Sequence, residues 1–164
     1  MTLPGAEVDT LRVEVDGGIA TLTLDQPARM NPLGLSLQRR MLEVLAALGA
    51  DRSVRALVLT GAGKAFCAGH DLKEMRANHD KAFMQDLFRR CGRMMMTLTQ
   101  MPQPVIARVH GIATAAGCQL VSMCDLAVAV DSARFATSGI NVGLFCATPG
   151  VGLSRNLGRK QALE

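Results

Sequence analysis

The residues of this chain able to do chemistry gather in two stretches of similar build. "GKAFCAGHDLKEM", residues 63–75, and "HGIATAAGCQL", residues 110–120, each follow a segment that reads as a strand and each run into a helix. Small residues crowd both junctions. The first amides of a helix lack internal partners, so such a turn can aim a backbone N–H at a negative centre. Two turns that converge would give two N–H groups to one oxygen, which is an oxyanion hole. Gln119 lies beside the second turn, at the mouth of an apolar segment that reads as buried. A neutral amide can hold a water or a polar ligand by hydrogen bonds, or tie its helix to a neighbouring loop, but cannot move a proton near neutral pH.

Other chemistries are weaker on the same residues. "TGAGKAF" at 60–66 lacks the glycine five residues before Gly63 and has Ala65 where a phosphate loop needs a hydroxyl. "GVGLSR" at 150–155 has Arg155 where the third glycine of a dinucleotide fingerprint would stand. The five cysteines, Cys67, Cys91, Cys118, Cys124 and Cys146, are odd in number and have no CxxC spacing, so neither a disulfide framework nor a zinc site is indicated. No His, Cys and carboxylate cluster suggests any metal. A net charge of +4 favours anionic ligands, while five Phe and no Tyr or Trp offer few stacking platforms, so no nucleic acid is expected.

The elements that must position these residues follow from periodicity. Leu11–Val15 and Ile19–Leu24 alternate around Asp16-Gly17-Gly18, which predicts a hairpin. Helical spacing from Leu35 to Leu48 predicts a helix, with Ser36 or Asn31 as candidate caps and Gly49 as its stop. "RALVLT" at 55–60 is sized for a buried strand. Residues 80–101 form an amphipathic helix ended by Pro102 and Pro104, whose Met94–Met96 run suits core and interface filling or a plastic ligand surface. Strands at 104–109 and 125–130 follow helical segments, which predicts a largely parallel sheet and an α/β fold. "LGRKQALE" reads as a helix beginning. The opening "MTLPGAEVDT" has no apolar h-region, and the apolar stretch 106–130 carries Arg108, His110, Gln119 and Asp125. Neither a secretory leader nor a membrane span is expected, and a cytoplasmic location follows, or the mitochondrial matrix in a eukaryote.

The motifs together resemble the enoyl-CoA hydratase/isomerase family, also called the crotonase superfamily. The likeness runs from the hairpin through "RMNPLG" at 29–34, "KAFCAGHDLKEM" at 64–75, "PVIARVHGIATAAGCQLVSMCDLAVAV" at 104–130 and "FATSGINVGLFCATPGVG" at 135–152. It implies a crotonase-like spiral of β-β-α turns and an acyl-CoA thioester ligand. Coenzyme A then enters as part of the substrate and no cofactor is covalently bound. A homotrimer or dimer of trimers is implied too. Residues 1–164 would form a single-domain N-terminal core without the family's C-terminal helical part.

Carried onto this sequence, the resemblance places the oxyanion donors on the backbone N–H groups of His70 and Ala116. The two catalytic glutamates fall on Gln119 and Gly139. Hydration needs carboxylates to remove and deliver protons, each such role being worth roughly a hundred- to ten-thousandfold, so hydratase activity is expected to be weak or altered. Restoring both carboxylates by Gln119→Glu and Gly139→Glu, if the fold tolerates them, is expected to raise it. "AGHD" is also similar to methylmalonyl-CoA decarboxylases of the superfamily, so a decarboxylase-like enzyme is one alternative and a non-catalytic acyl-CoA-binding or assembly protein another. His70 then acts as a backbone donor only, as a side-chain acid or base near pKa 6.5, or stands as a surface histidine beside a cap. Cys146 is a proton donor or a pocket wall. Arg29, Ala68 and Lys73 are candidates for holding the coenzyme, Asp71 reads as a helix cap, and His79, His110, Ser138 and Asn141 are further polar candidates.

Overall fold

The computed structural model describes residues 10–163; the opening residues 1–9, which carry most of the segment read as lacking a leader, lie outside them. β1 (Leu11–Asp16) and β2 (Ile19–Leu24) form the expected hairpin, with Leu11 opposite Leu24. Gly17 and Gly18 take φ of +54° and +80°, the paired left-handed values of a two-residue turn matched to strand twist. From there the chain alternates between two sheets. β3 (Ala56–Gly61), β5 (Val105–Val109) and β7 (Leu126–Ala129) extend the first in parallel, in the order β1-β2-β3-β5-β7. β4 (Ala65–Cys67), β6 (Ile112–Thr114) and β8 (Arg134–Ala136) build a second parallel sheet in the order β4-β6-β8. The short strands are too brief to show a period of two, and the sequence places only the turns that follow the first two.

The core fills the space between the larger sheet and two helices, α1 (Leu35–Ala50) and α3 (Lys81–Thr99), which lie before and after α2 (Leu72–Ala77). Leu37, Met41, Val44 and Leu45 of α1 join Cys91, Met94, Met95 and Leu98 of α3 against Leu22, Leu57, Leu59 and Ala107 of the sheet. Met94 and Met95 are thus core, and Met96 is exposed. Asp80 caps α3 through the Phe83 N–H at 2.8 Å.

Neither expected cap of α1 is used. Gly34 is the N-cap, and the Leu35 N–H donates instead to Glu74 Oε2 of α2 at 3.0 Å. Asn31 is fully buried with φ of +55° and bonds away from the helix: its Nδ2 donates to the carbonyls of Ala62, Ala65 and Phe66 at 2.9, 2.8 and 3.2 Å, and its Oδ1 accepts from the Gln26 N–H at 2.8 Å. One side chain therefore pins the bend between β3 and β4. Gly49 lies inside α1, which ends one residue later.

The apolar run 126–129 is a strand as expected, yet every residue of β7 is exposed, because no further element covers that edge of the sheet among the described residues. "GVGLSR" is helical, inside α5 (Ala147–Asn156), and "RKQAL" forms α6 (Arg159–Leu163). No helix among the described residues is long and apolar enough to cross a membrane.

Candidate functional site

The two stretches that opened the sequence reading meet. β4 leads through Ala68 and Gly69 to His70 and then Asp71, whose carboxylate accepts from the Lys73 and Glu74 N–H groups at 3.1 and 3.2 Å and so caps α2 as expected. β6 leads through Ala115 into α4 (Ala116–Ser122). Ala115 is held at φ +51° and ψ −122°, a conformation that costs a residue with a Cβ about 1–3 kcal/mol. Its N–H donates to the Ala136 carbonyl at 2.9 Å and its carbonyl accepts from the Gln119 N–H at 3.1 Å, so both neighbours hold the strained turn.

Two glycines permit the approach. A Cβ on Gly69 would lie 3.0 Å from the Ala115 Cβ and 3.1 Å from the Ala116 nitrogen. One on Gly117 would lie 2.2 Å from the Cys67 carbonyl oxygen. The end of β4 and the first turn of α4 therefore touch through backbone, and His70 and Ala116, one from each turn, line the same cavity. Neither N–H donates to another backbone group among the described residues.

The cavity at this junction has a volume of about 390 Å³. Its lining takes Ala68, His70, Ala116 and Gln119 from the two turns and α4, Ser138, Gly139, Cys146 and Thr148 from the chain after β8, and Leu72, Met75 and Phe88 from α2 and α3. Among the described residues, no Asp, Glu, Lys or Arg lines it. Of the sequence candidates, His70, Ala116, Gln119, Gly139, Cys146, Ala68 and Ser138 are brought together. Arg29 and Lys73 are not: the Arg29 guanidinium pairs with Asp71, and Lys73 is exposed on α2. His79 and Asn141 are exposed, and His110 Nε2 contacts the Gly63 carbonyl at 2.8 Å.

Gln119 takes up the structural task and faces the cavity as well. Its Oε1 accepts from Thr148 Oγ1 at 3.0 Å, tying α4 to α5, while the residue lines the cavity. Thr148 escaped the sequence reading because its partner lies far back along the chain and no local spacing marks the pair.

His70 is not a surface histidine. Its ring packs edge-on to Phe88 with centroids 5.0 Å apart, its Nε2 is sealed from solvent without a partner, and burial pulls its pKa down to about 4. Burial of this kind favours the neutral ring and disfavours an acid or base working near 6.5. The unfolded chain takes up a proton near pH 6.5 and the folded one only near 4, so stability is lost as pH falls through that window, by as much as about 3 kcal/mol. His70→Leu is expected to flatten this acid dependence in denaturation midpoints measured between pH 7 and 4; an unchanged slope would place the histidine in water.

At Gly139 the condition set on the double substitution, that the fold tolerate it, is not met. A Cβ there would stand 2.5 Å from the Leu144 carbonyl oxygen and 2.6 Å from Cys146 Sγ, so Gly139→Glu has no room without moving the loop. Cys146 is the N-cap of α5, and its side chain makes no capping bond.

The architecture and the cavity agree with what comparison finds: residues 14–164 match the sequence model of enoyl-CoA hydratase/isomerase. The chain belongs to that family. Its fold is the crotonase-like α/β spiral, as solved structures show. It superposes on an enoyl-CoA hydratase from Mycobacterium smegmatis with a TM-score of 0.91 and 58% identity, covering 94% of this chain and 60% of that one. The human enoyl-CoA hydratase domain-containing protein 3 gives a TM-score of 0.89 and 40% identity, covering 94% and 61%. In sequence, the mitochondrial enoyl-CoA hydratase domain-containing protein 3 of Xenopus laevis is 43% identical over 152 residues, 93% of this chain and 52% of the relative. This chain thus spans about half the length of the curated family members it matches.

Proposed function

We propose that the cavity binds an acyl-CoA thioester with its carbonyl oxygen between the His70 and Ala116 N–H groups, and that these stabilise the thioester enolate. The observation that carries this reading is the backbone contact of two strand-to-helix turns on one apolar cavity. Losing one donor of such a pair typically costs about 2.7–4 kcal/mol in the transition state, so two amides alone are a substantial catalytic asset. Ala68 borders the thioester, with Arg29 and Lys73 outside the cavity toward the coenzyme phosphates. A homotrimer or dimer of trimers is the assembly proposed.

With no carboxylate lining the cavity, the general base of hydration has no candidate, and weak or altered hydratase activity follows. The same observation favours a second reading, acyl-CoA binding without turnover. Incubation with enoyl-, methylmalonyl- and malonyl-CoA, read by mass spectrometry, separates the two: product from any ester supports the enzyme, and tight binding with no product supports the binder. Gln119→Glu alone, which needs no added volume, is expected to raise crotonyl-CoA hydration at least about tenfold, since one acid/base role is worth roughly a hundredfold or more. No gain in a folded, ester-binding variant would remove Gln119 from the reacting atoms.

A further inference from the structure

We infer that Cys146 is a nucleophile placed to add to the β carbon of an α,β-unsaturated thioester held in the cavity. The inference rests on the functional reading above and names the substrate class of the same site. Its basis is the space beside Gly139. Cys146 Sγ fills the position from which a side chain at 139 would project, 2.6 Å from the ideal Cβ, and the residue lines the cavity. Although it caps α5, its sulfur makes no capping bond that would occupy it.

A second group points to a polar ligand in the same space. Gln119 is only 6% exposed, yet just its Oε1 is satisfied, by Thr148. Its Nε2 has no partner among the described residues and is not sealed off, so a buried amide donor opens on the cavity that Cys146 lines. No carboxylate competes there to activate water. The remaining thiols are silent by comparison: burial pushes Cys67, Cys91 and Cys124 up to about 12 and raises Cys118 as well, and none of them lines the cavity.

The step balances without any further reagent. The sulfur of Cys146 forms a bond to the β carbon as the Cα–Cβ π bond breaks, and that electron pair moves to the thioester oxygen between the two amide donors. The thiol proton then goes to Cα, leaving a saturated β-thioether that still carries coenzyme A. Nothing is oxidised or reduced and no group leaves.

Intact-protein mass spectrometry after incubation with crotonyl-CoA, followed by peptide mapping, tests this. The expected result is a gain of one crotonyl-CoA mass on the peptide containing Cys146, none with butyryl-CoA, and none in Cys146→Ser. The adduct should form at least about tenfold faster than one with N-acetylcysteine at equal concentration, as a positioned thiol does. Butyryl-CoA binding measured by calorimetry separates the two levels of the argument. Binding without a crotonyl adduct, or an adduct on another cysteine, overturns this inference alone; absence of binding by either ester overturns the functional reading and this inference with it. Should Cys146→Ser fail to fold, the peptide map of the unaltered chain still locates the adduct.

Discussion

Gly117→Ala is expected to destabilise the chain by about 3 kcal/mol or more and to abolish thioester binding, the reverse of what alanine does in an ordinary helix. Gly117 sits in the first turn of α4, where exchanging glycine for alanine normally gains about 0.5–1 kcal/mol. Here the new Cβ would fall 2.2 Å from the Cys67 carbonyl oxygen and 2.8 Å from the Cys67 Cβ. Both obstacles are fixed by β4, so no side-chain rotation relieves them. Overpacking in cores, with the side-chain and backbone shifts it forces, typically costs about 1–3 kcal/mol and occasionally more; a fixed backbone obstacle puts this site at the top of that range. The accommodation left is to part β4 from α4, which separates the His70 and Ala116 amides. Gly92→Ala supplies the contrast, since a Cβ there meets nothing within 4 Å in α3. It should stabilise. Equal, small effects of the two substitutions in urea denaturation would mean that the turns are not in backbone contact.

Asn31→Ala is expected to cost about 4 kcal/mol, from several buried groups losing partners at about 1–3 kcal/mol each. The amide serves three carbonyls and one N–H while fully buried. Its φ of +55° adds to the loss, because asparagine tolerates the left-handed region better than alanine. Asn31→Gly should recover only that conformational part, about 1 kcal/mol. If glycine restored full stability, backbone conformation and not the hydrogen bonds would be what this residue provides. A loss of this size also bears on function, since the bend it pins leads directly into β4 and His70.

The contrast between these two residues shows what the sequence makes legible. The hairpin, α1, α3 and the three long parallel strands announce themselves by period, because each runs long enough to repeat its pattern. β4, β6 and β8 have three residues each and repeat nothing. Asn31 was read as a cap because polar residues before helices usually are caps. Its true partners, at 62, 65 and 66, lie beyond any local window. The same holds for Thr148 with Gln119. Glycine, alanine and the polar residues among them point to the two turns that meet; the crowding around Gly139 and the sealed Nε2 of His70 needed coordinates, because burial of a particular atom is a property of neighbours that the chain supplies from elsewhere.

The alternation of the chain between the two sheets has a consequence for how this cavity is composed. After each short strand the backbone reaches the same cavity, at His70 after β4, at Ala116 after β6 and at Ser138 after β8. The wall is a ladder with one rung per circuit of the coil. Exchanging one rung leaves the strands that carry the others in register, so such a scaffold can trade its chemistry one position at a time while its shape stays put.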